Sequence, residues 1–141
     1  MEPLPDAVKE FVTGARVCRI ATVRPGGEPH VIPVCPAYDG EATVYVDIAR
    51  RGISAQGFRT NPSIAVLIDD YHDDWSTLQA VILRCRAEEI EGEELERAWA
   101  MIRQKFPQYG SVGWEPRLTL ALRILGWTQW GITGPLPYDP E

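Results

Sequence analysis

The chain has 141 residues, of which 45% are hydrophobic and 24% charged, and this composition fits a single soluble domain with its own core. Its formal net charge of −6 argues against a nucleic-acid surface, because phosphate-backbone binding depends on clustered Lys and Arg. No apolar run has the length of a membrane-spanning helix, and no apolar segment follows the acidic start to form a secretory signal. We therefore expect a cytoplasmic protein that binds neither nucleic acid nor membrane.

The cysteines and histidines do not form a metal-binding pattern. Cys18, Cys35 and Cys85 are far apart within strand-like apolar sequence, which predicts buried thiols and not disulfides. The two histidines lack metal-ligand spacing with them. The acidic run over residues 69–75 lacks the alternating ligands and central Gly of a calcium loop. We expect no metal site.

Turn residues divide the chain into β-rich runs and helical segments. Period-two alternation predicts strands, and an apolar stripe of Leu95, Trp99, Ile102 and Phe106 predicts one long helix that Pro107 ends. In chain order we first predict a helix that Asp6 caps and Gly14 ends, followed by strands over 16–23, 29–34 and 43–47 and a short helix over 52–60. Strands over 63–69 and 78–90, the long helix over 93–105 and a last strand over 118–132 with a bulge at Gly126 complete the prediction.

Six strands with a short and a long helix predict a mainly β (α+β) domain, built as a small closed or split β-barrel. We place this single domain at residues 1–133 and a loosely ordered, Pro-rich tail at 134–141. In the second strand, Pro29 and Pro33 lack a ladder donor, and Pro36 follows closely. That strand is therefore predicted at a sheet edge, where its backbone groups are open to a ligand or a partner chain.

Three further features of the sequence can each be interpreted in two ways. Arg50 and Arg51 precede the short helix, and they either form an anion site with its N-terminal amides or are solvated charges in a loop. Trp75 either anchors the acidic loop or lines a pocket. The two indoles of Trp127 and Trp130 either cover the barrel mouth or wall a flat aromatic ligand.

The order and spacing of these runs resemble the pyridoxamine 5′-phosphate oxidase-like family of flavin-binding split barrels. The closest similarity is to small members of the deazaflavin (F420)-dependent type. The resemblance is carried by Arg19-Ile20-Ala21-Thr22-Val23, Pro29-His30-Val31-Ile32-Pro33-Val34, Asn61-Pro62-Ser63-Ile64-Ala65-Val66-Leu67, the loop from Asp69 to Leu78, Lys105-Phe106-Pro107-Gln108-Tyr109 and the terminal Trp.

The resemblance implies a homodimer with two FMN or F420 sites at the subunit interface. The second strand would lie along the isoalloxazine ring, and basic and hydroxyl side chains near the short helix would hold the phosphate. The predicted cofactor-binding residues are His30, Val31, Ile32, Pro33, Val34, Asp47, Arg50, Arg51, Ser54, Arg59, Trp75 and Trp127.

The chain departs from the family pattern at the expected phosphate site. Many relatives carry Lys seven residues before the Asn of the Asn-Pro pair, and this chain has Ser54 there. Relatives also have Asn four residues before that Asn, where this chain has Gly57. The phosphate grip is therefore weakened or rebuilt around the two arginines.

These features predict an oxidoreductase that transfers a hydride to or from a small organic substrate, with the chemistry carried by the cofactor. No catalytic side chain is assigned, and His30 is interpreted as an ordinary strand histidine. The altered phosphate positions keep two alternatives open. One is a non-catalytic protein that binds or carries flavin, F420 or haem, and the other is a dimeric barrel with a vestigial pocket.

Overall fold

Within residues 1–134 and 136, which the computed structural model describes, seven antiparallel strands form one sheet in the order β2-β1-β5-β6-β7-β4-β3. The strands are β1 (Cys18–Val23), β2 (Pro29–Val34), β3 (Ala37–Tyr38), β4 (Thr43–Ile48), β5 (Ser63–Asp70), β6 (Gln79–Glu89) and β7 (Leu118–Trp130). The helices are α1 (Asp6–Gly14), α2 (Ile53–Thr60), α3 (Gly92–Lys105) and α4 (Gln108–Ser111), with a 3₁₀ turn at Trp75–Thr77.

The sheet curls around one core and carries a second core on its outer face. Successive strand residues point to opposite faces, so β4 places Val44 and Val46 inside and Tyr45 outside. The amphipathic helix α1 packs against the inner core. On the outer face, Trp99 and Ile102 of α3 pack against Tyr45 and neighbouring strand residues. The site described below lies at the rim of this outer layer.

The mainly β split-barrel prediction is confirmed, with seven strands in place of six. The additional strand, β3, has only two residues, which is too short for an alternating pattern. The predicted edge position of the second strand is also confirmed, because β2 ends the sheet. The predicted bulge is present, since the β6–β7 register shifts between Arg84 and Cys85, opposite Gly126. Most of the predicted tail lies outside the described residues.

Two details differ from the prediction at the helices. Asp6 is the first residue of α1 and its side chain makes no capping hydrogen bond, because Pro5 occupies the N-cap position. The short helix α4, just after Pro107, was not predicted.

No helix of the described part of the chain is long and apolar enough to cross a membrane.

A half-buried ion pair connects α3 to the sheet. The Arg123 guanidinium donates to both carboxylate oxygens of Glu94, at 2.7 and 2.9 Å, and the Tyr45 hydroxyl donates to the same carboxylate at 2.8 Å. These hydrogen bonds, chiefly those from Arg123, lower the pKa of Glu94 to about 2. The ionised Glu94 is therefore tied to β7 and β4 simultaneously.

We expect Glu94→Gln to remove part of the acid sensitivity of the fold. Because the folded-state pKa of Glu94 is depressed, its stabilisation is fully present above the ordinary value of 4.5 and is lost as the pH falls toward 2. Thermal unfolding between pH 2 and pH 7 should show a lower melting temperature for the variant at neutral pH and a shallower decline in acid. The exposed neighbour Glu93→Gln is the control and should follow the wild type.

Candidate functional site

A cavity of about 540 Å³ lies where β2 ends, β4 passes and α3 gives way to α4. Its volume is in the range of small-molecule sites. Its walls are Val34, Phe106, Tyr109, Val112 and Trp114 on the apolar side, and Arg16, Cys35, Asp47 and Gln108 on the polar side. The mixture of flat rings and a few polar groups is typical of a pocket for a ring-containing ligand.

The aromatic wall of the cavity is held rigidly by edge-to-face contacts around Tyr109. Its ring centroid lies 5.3 Å from that of Trp99, 5.4 Å from Trp114 and 6.3 Å from Phe106, each at a near-perpendicular angle. Such pairs contribute beyond their buried area. Because Trp99 belongs to the outer core, the wall is continuous with the packed interior.

Asp47 holds the segment that closes the cavity. Its carboxylate accepts hydrogen bonds from Trp114 Nε1 at 2.8 Å, from the backbone N–H of Arg117 at 3.1 Å, and from Thr119 Oγ1 at 2.8 Å. The residue is only 7% exposed. Asp47 was predicted to bind the cofactor, and the structure places it in the cavity wall with its oxygens already engaged by three protein donors.

Three cations surround the aromatic walls. The Arg16 guanidinium lies 4.5 Å from the Phe106 ring centroid, the Lys105 ammonium lies 5.1 Å from the same centroid, and Arg117 lies 4.1 Å from that of Trp114. None of the three forms an ion pair with a described residue. Burial, together with the charge of Arg16, lowers the pKa of Lys105.

Cys35 and Tyr109 meet on the cavity wall. Burial raises the pKa of Tyr109, and the adjacent Cys35 adds to that effect, so the phenol stays protonated at neutral pH. All three cysteines are free thiols; Cys18 and Cys85 are buried as predicted, whereas Cys35 is half-buried. Burial raises the pKa of both Cys18 and Cys85 to about 12.

The predicted phosphate-binding residues differ in how accessible their polar groups are to a ligand. Arg50 donates to Glu89 at 3.2 Å and to the carbonyl of Arg117 at 2.6 Å, so it is a structural link as the structure stands. Arg51 and Arg59 are exposed at opposite ends of α2. Ser54, in the first turn of α2, is buried, and its hydroxyl has no hydrogen-bond partner among the described residues.

Gly57 explains one departure from the family pattern. A Cβ at this position would lie 2.7 Å from the carbonyl oxygen of Val23 and 3.4 Å from Thr22 Cβ. The backbone of α2 therefore rests directly on the end of β1. An Asn side chain at Gly57 has no room, so this packing, not a polar contact, determines the residue type.

The other predicted residues lie apart from the cavity. His30 is half-buried on β2, at the opposite end of the strand from Val34. Trp75 is 65% exposed on the 3₁₀ turn, and Trp127 Nε1 donates to the carbonyl of Glu2 at 2.9 Å. Of the twelve predicted residues, only Val34 and Asp47 line the cavity. Cofactor contact stays a prediction for all of them.

Seven of the nine cavity residues were not predicted as site residues: Arg16, Cys35, Phe106, Gln108, Tyr109, Val112 and Trp114. Phe106, Gln108 and Tyr109 belong to the Lys105-to-Tyr109 run that carries the resemblance, which was the one signal available. Arg16 and Cys35 border the first two strands, and nothing in the local sequence places them beside Phe106 of a segment some seventy or more residues later.

The sequence profile of the pyridoxamine 5′-phosphate oxidase family matches residues 4–131. The chain belongs to this family. A flavin-binding relative that fits the fold is an FAD-binding protein from Mesorhizobium loti, which is 24% identical with a TM-score of 0.68, over 91% of this chain and 95% of that one. No curated protein matches the chain in sequence.

Two further solved structures in this fold are larger than the present chain. A protein of unknown function from Agrobacterium tumefaciens is 23% identical with a TM-score of 0.76, over 93% of this chain and 57% of that one. A heme binding protein from Mycobacterium smegmatis is 20% identical with a TM-score of 0.75, over 91% of this chain and 55% of that one. The chain thus spans less than three fifths of either protein. At these identities the similarity establishes the fold.

Proposed function

We propose that this member of the pyridoxamine 5′-phosphate oxidase family is an oxidoreductase that binds FMN or F420 at a homodimer interface and acts on a small organic substrate. The observation that carries the proposal is the free edge of β2 beside an aromatic-walled cavity. A strand edge offers backbone donors and acceptors to the polar edge of a tricyclic ring, and the neighbouring aromatic cavity offers room for a small organic substrate.

The first turn of α2 carries the groups that would hold the phosphate of such a cofactor. This turn has no side-chain cap, so its N-terminal amides are open to an anion. Ser54 Oγ is a buried hydroxyl without a hydrogen-bond partner among the described residues, and Arg51 is exposed and forms no ion pair with any of them. These groups fit a phosphate that would complete the hydrogen bonding of Ser54, without the lysine that relatives use.

When bound, the cofactor supplies the hydride chemistry. The chain would supply orientation and exclusion of water: β2 would lie along the ring edge, and the wall around Tyr109 would limit access to it. The buried carboxylate of Asp47 has three donors already, and no described side chain at the cavity has a paired base. We therefore assign no proton-transfer role to a side chain, His30 included.

A second copy of the chain would complete the site. Val31, on the free edge strand β2, is 61% exposed, and a second apolar side chain, Leu125, projects at the β7 bulge with the same exposure. In the proposed dimer the partner would cover these two side chains. Gel filtration with light scattering tests this part, and a monomer at micromolar concentration would contradict it.

Ser54→Ala is expected to separate stability from cofactor binding. Removing a buried hydroxyl that has no partner should stabilise the unliganded protein by about 1 kcal/mol, because its desolvation is no longer uncompensated. The same change should weaken FMN or F420 binding, because the phosphate loses a donor. Thermal unfolding and fluorescence titration measure the two effects. Loss of stability with unchanged affinity would contradict the assignment, and Ser63→Ala, exposed at the start of β5, is the control.

The second candidate function is haem binding or storage without turnover. Cys35 and Tyr109, two side-chain types that ligate haem iron in proteins, line the same cavity. The similarity to a heme binding protein is consistent with this fold holding such a ligand. Titration with haemin would produce a Soret band that Cys35→Ala or Tyr109→Phe shifts. An unshifted band in both variants would remove this candidate.

A further inference from the structure

We propose that the cavity between β2 and α4 is a substrate site for a planar ring compound that carries a single carboxylate. The flat walls are Phe106, Tyr109 and Trp114, and the anchor for the carboxylate is Arg16. The proposed binding of such a compound in the cavity does not depend on the proposed oxidoreductase function. The cavity's role as the substrate site rests on that function.

The charge around the cavity runs against that of the whole protein. The chain carries a net charge of −6, yet Arg16, Lys105 and Arg117 lie against the cavity's rings without an ion pair to a described residue. The described wall also holds Asp47, whose three donors are uncharged groups and do not neutralise its carboxylate. Of the three cations, Arg16 is the one that lines the cavity, and it has no carboxylate partner among the described residues, so an anionic ligand there would gain a charge-assisted hydrogen bond.

The donor set favours a carboxylate over a phosphate. The planar Arg16 fork matches two carboxylate oxygens, and its Nη1 donates to the carbonyl of Lys105, which fixes the side chain at the rim. Lys105 Nζ is itself occupied by the carbonyl of Pro36 at 2.8 Å. Beyond Arg16, the described wall adds the Gln108 amide and the Tyr109 hydroxyl, which is hydrogen-bonded with Cys35, and α4, with four residues, is too short to act as a phosphate-binding helix.

This site is separate from the phosphate end of the proposed cofactor. Arg50, which precedes α2 in the chain, donates hydrogen bonds to Glu89 and to the Arg117 carbonyl, so it is not a free cation at the cavity. The cofactor ring would lie along the edge of β2, and the cavity begins at the end of that strand, at Val34 and Cys35. A ring carboxylate in the cavity would therefore lie next to the cofactor and leave the cofactor's own site open.

The test uses the full chain without cofactor and three matched probes: 2-naphthoate, its neutral analogue 2-naphthamide, and 2-naphthyl phosphate. Calorimetry gives the affinities, and the indole N–H signal of Trp114 in ¹⁵N NMR reports binding at the cavity. We expect 2-naphthoate to bind about tenfold more tightly than 2-naphthamide, the effect of one charge-assisted hydrogen-bonded pair. Arg16→Gln should remove this preference. Arg86→Gln, an exposed arginine on β6, is the charge-matched control.

Arg16→Lys is the second variant, and it should keep part of the preference because it retains the charge without the fork. The proposal is overturned if naphthoate and naphthamide bind equally, if Arg16→Gln binds naphthoate as the wild type does, or if naphthyl phosphate binds more tightly than naphthoate. It is also overturned if FMN displaces naphthoate, because the cavity would then belong to the cofactor. Failure of FMN to bind, with naphthoate binding intact, would count against the proposed oxidoreductase only.

Discussion

Gly57→Ala is expected to destabilise the protein by about 3 kcal/mol, the upper end of the cost of overpacking a well-packed site. The added Cβ would approach the Val23 carbonyl oxygen to 2.7 Å, which real Cβ atoms essentially never do. The contact is between the new Cβ, which has no rotamer freedom, and a backbone carbonyl, so neither side can relieve it by changing rotamer. The helix α2 must move off β1, and the environment of Ser54 moves with it.

Urea unfolding should compare the stability of Gly57→Ala with that of Gly14→Ala, which is the matched control. Gly14 also lies in a helix, at the end of α1, and a Cβ there meets nothing within 4 Å. Because Ala has the higher helix propensity, Gly14→Ala should be neutral or slightly stabilising. Equal stability of the two variants would contradict the close packing of α2 on β1. Gly57→Asn, which restores the family residue, should be at least as destabilised as Gly57→Ala.

Asp47→Ala is expected to cost about 3 kcal/mol of unfolding free energy and to loosen the cavity. The change leaves the Trp114 indole N–H, the Arg117 amide and the Thr119 hydroxyl without their acceptor, and unpaired groups of this kind are costly when they are removed from water. Asp47→Asn keeps the shape but offers a single acceptor oxygen. It should be intermediate, because its amide N–H₂ faces donors.

The readouts for Asp47 are urea unfolding and the Trp114 indole signal in NMR, which should broaden or shift in both variants. Asp73→Ala, exposed in the acidic loop, controls for loss of a negative charge and should leave both readouts unchanged. If Asp47→Ala unfolds within about 0.5 kcal/mol of the wild type, the typical range of a surface substitution, then Asp47 does not anchor the closing segment.

The fold was largely predictable because its signals are local. Strand alternation and turn residues mark the barrel, and prolines 29 and 33 indicated the edge strand before any pairing was known. The long helix was equally clear, because the stripe ending at Phe106 has helical spacing. The two-residue β3 could not be found in this way, since pairing to β4 alone defines it.

The site was less predictable because it depends on contacts between distant segments. Arg50 reads as a free cation in the sequence, and its acceptor, Glu89, lies thirty-nine residues later. Ser54 and Gly57 read as lost ligands, whereas the structure shows a buried unpaired hydroxyl and a close backbone contact. The cavity brings Arg16 against Phe106, a pairing that no spacing rule connects. Only Val34 and Asp47 were anticipated as members of its wall.

The purified protein should be titrated with FMN, F420 and haemin, with binding followed by absorbance and fluorescence and by co-elution in gel filtration. We expect saturable binding of FMN or F420, with the chromophore eluting together with a dimer. Binding of haemin alone, or no binding of either flavin-type cofactor at submillimolar concentration, would contradict the proposed oxidoreductase.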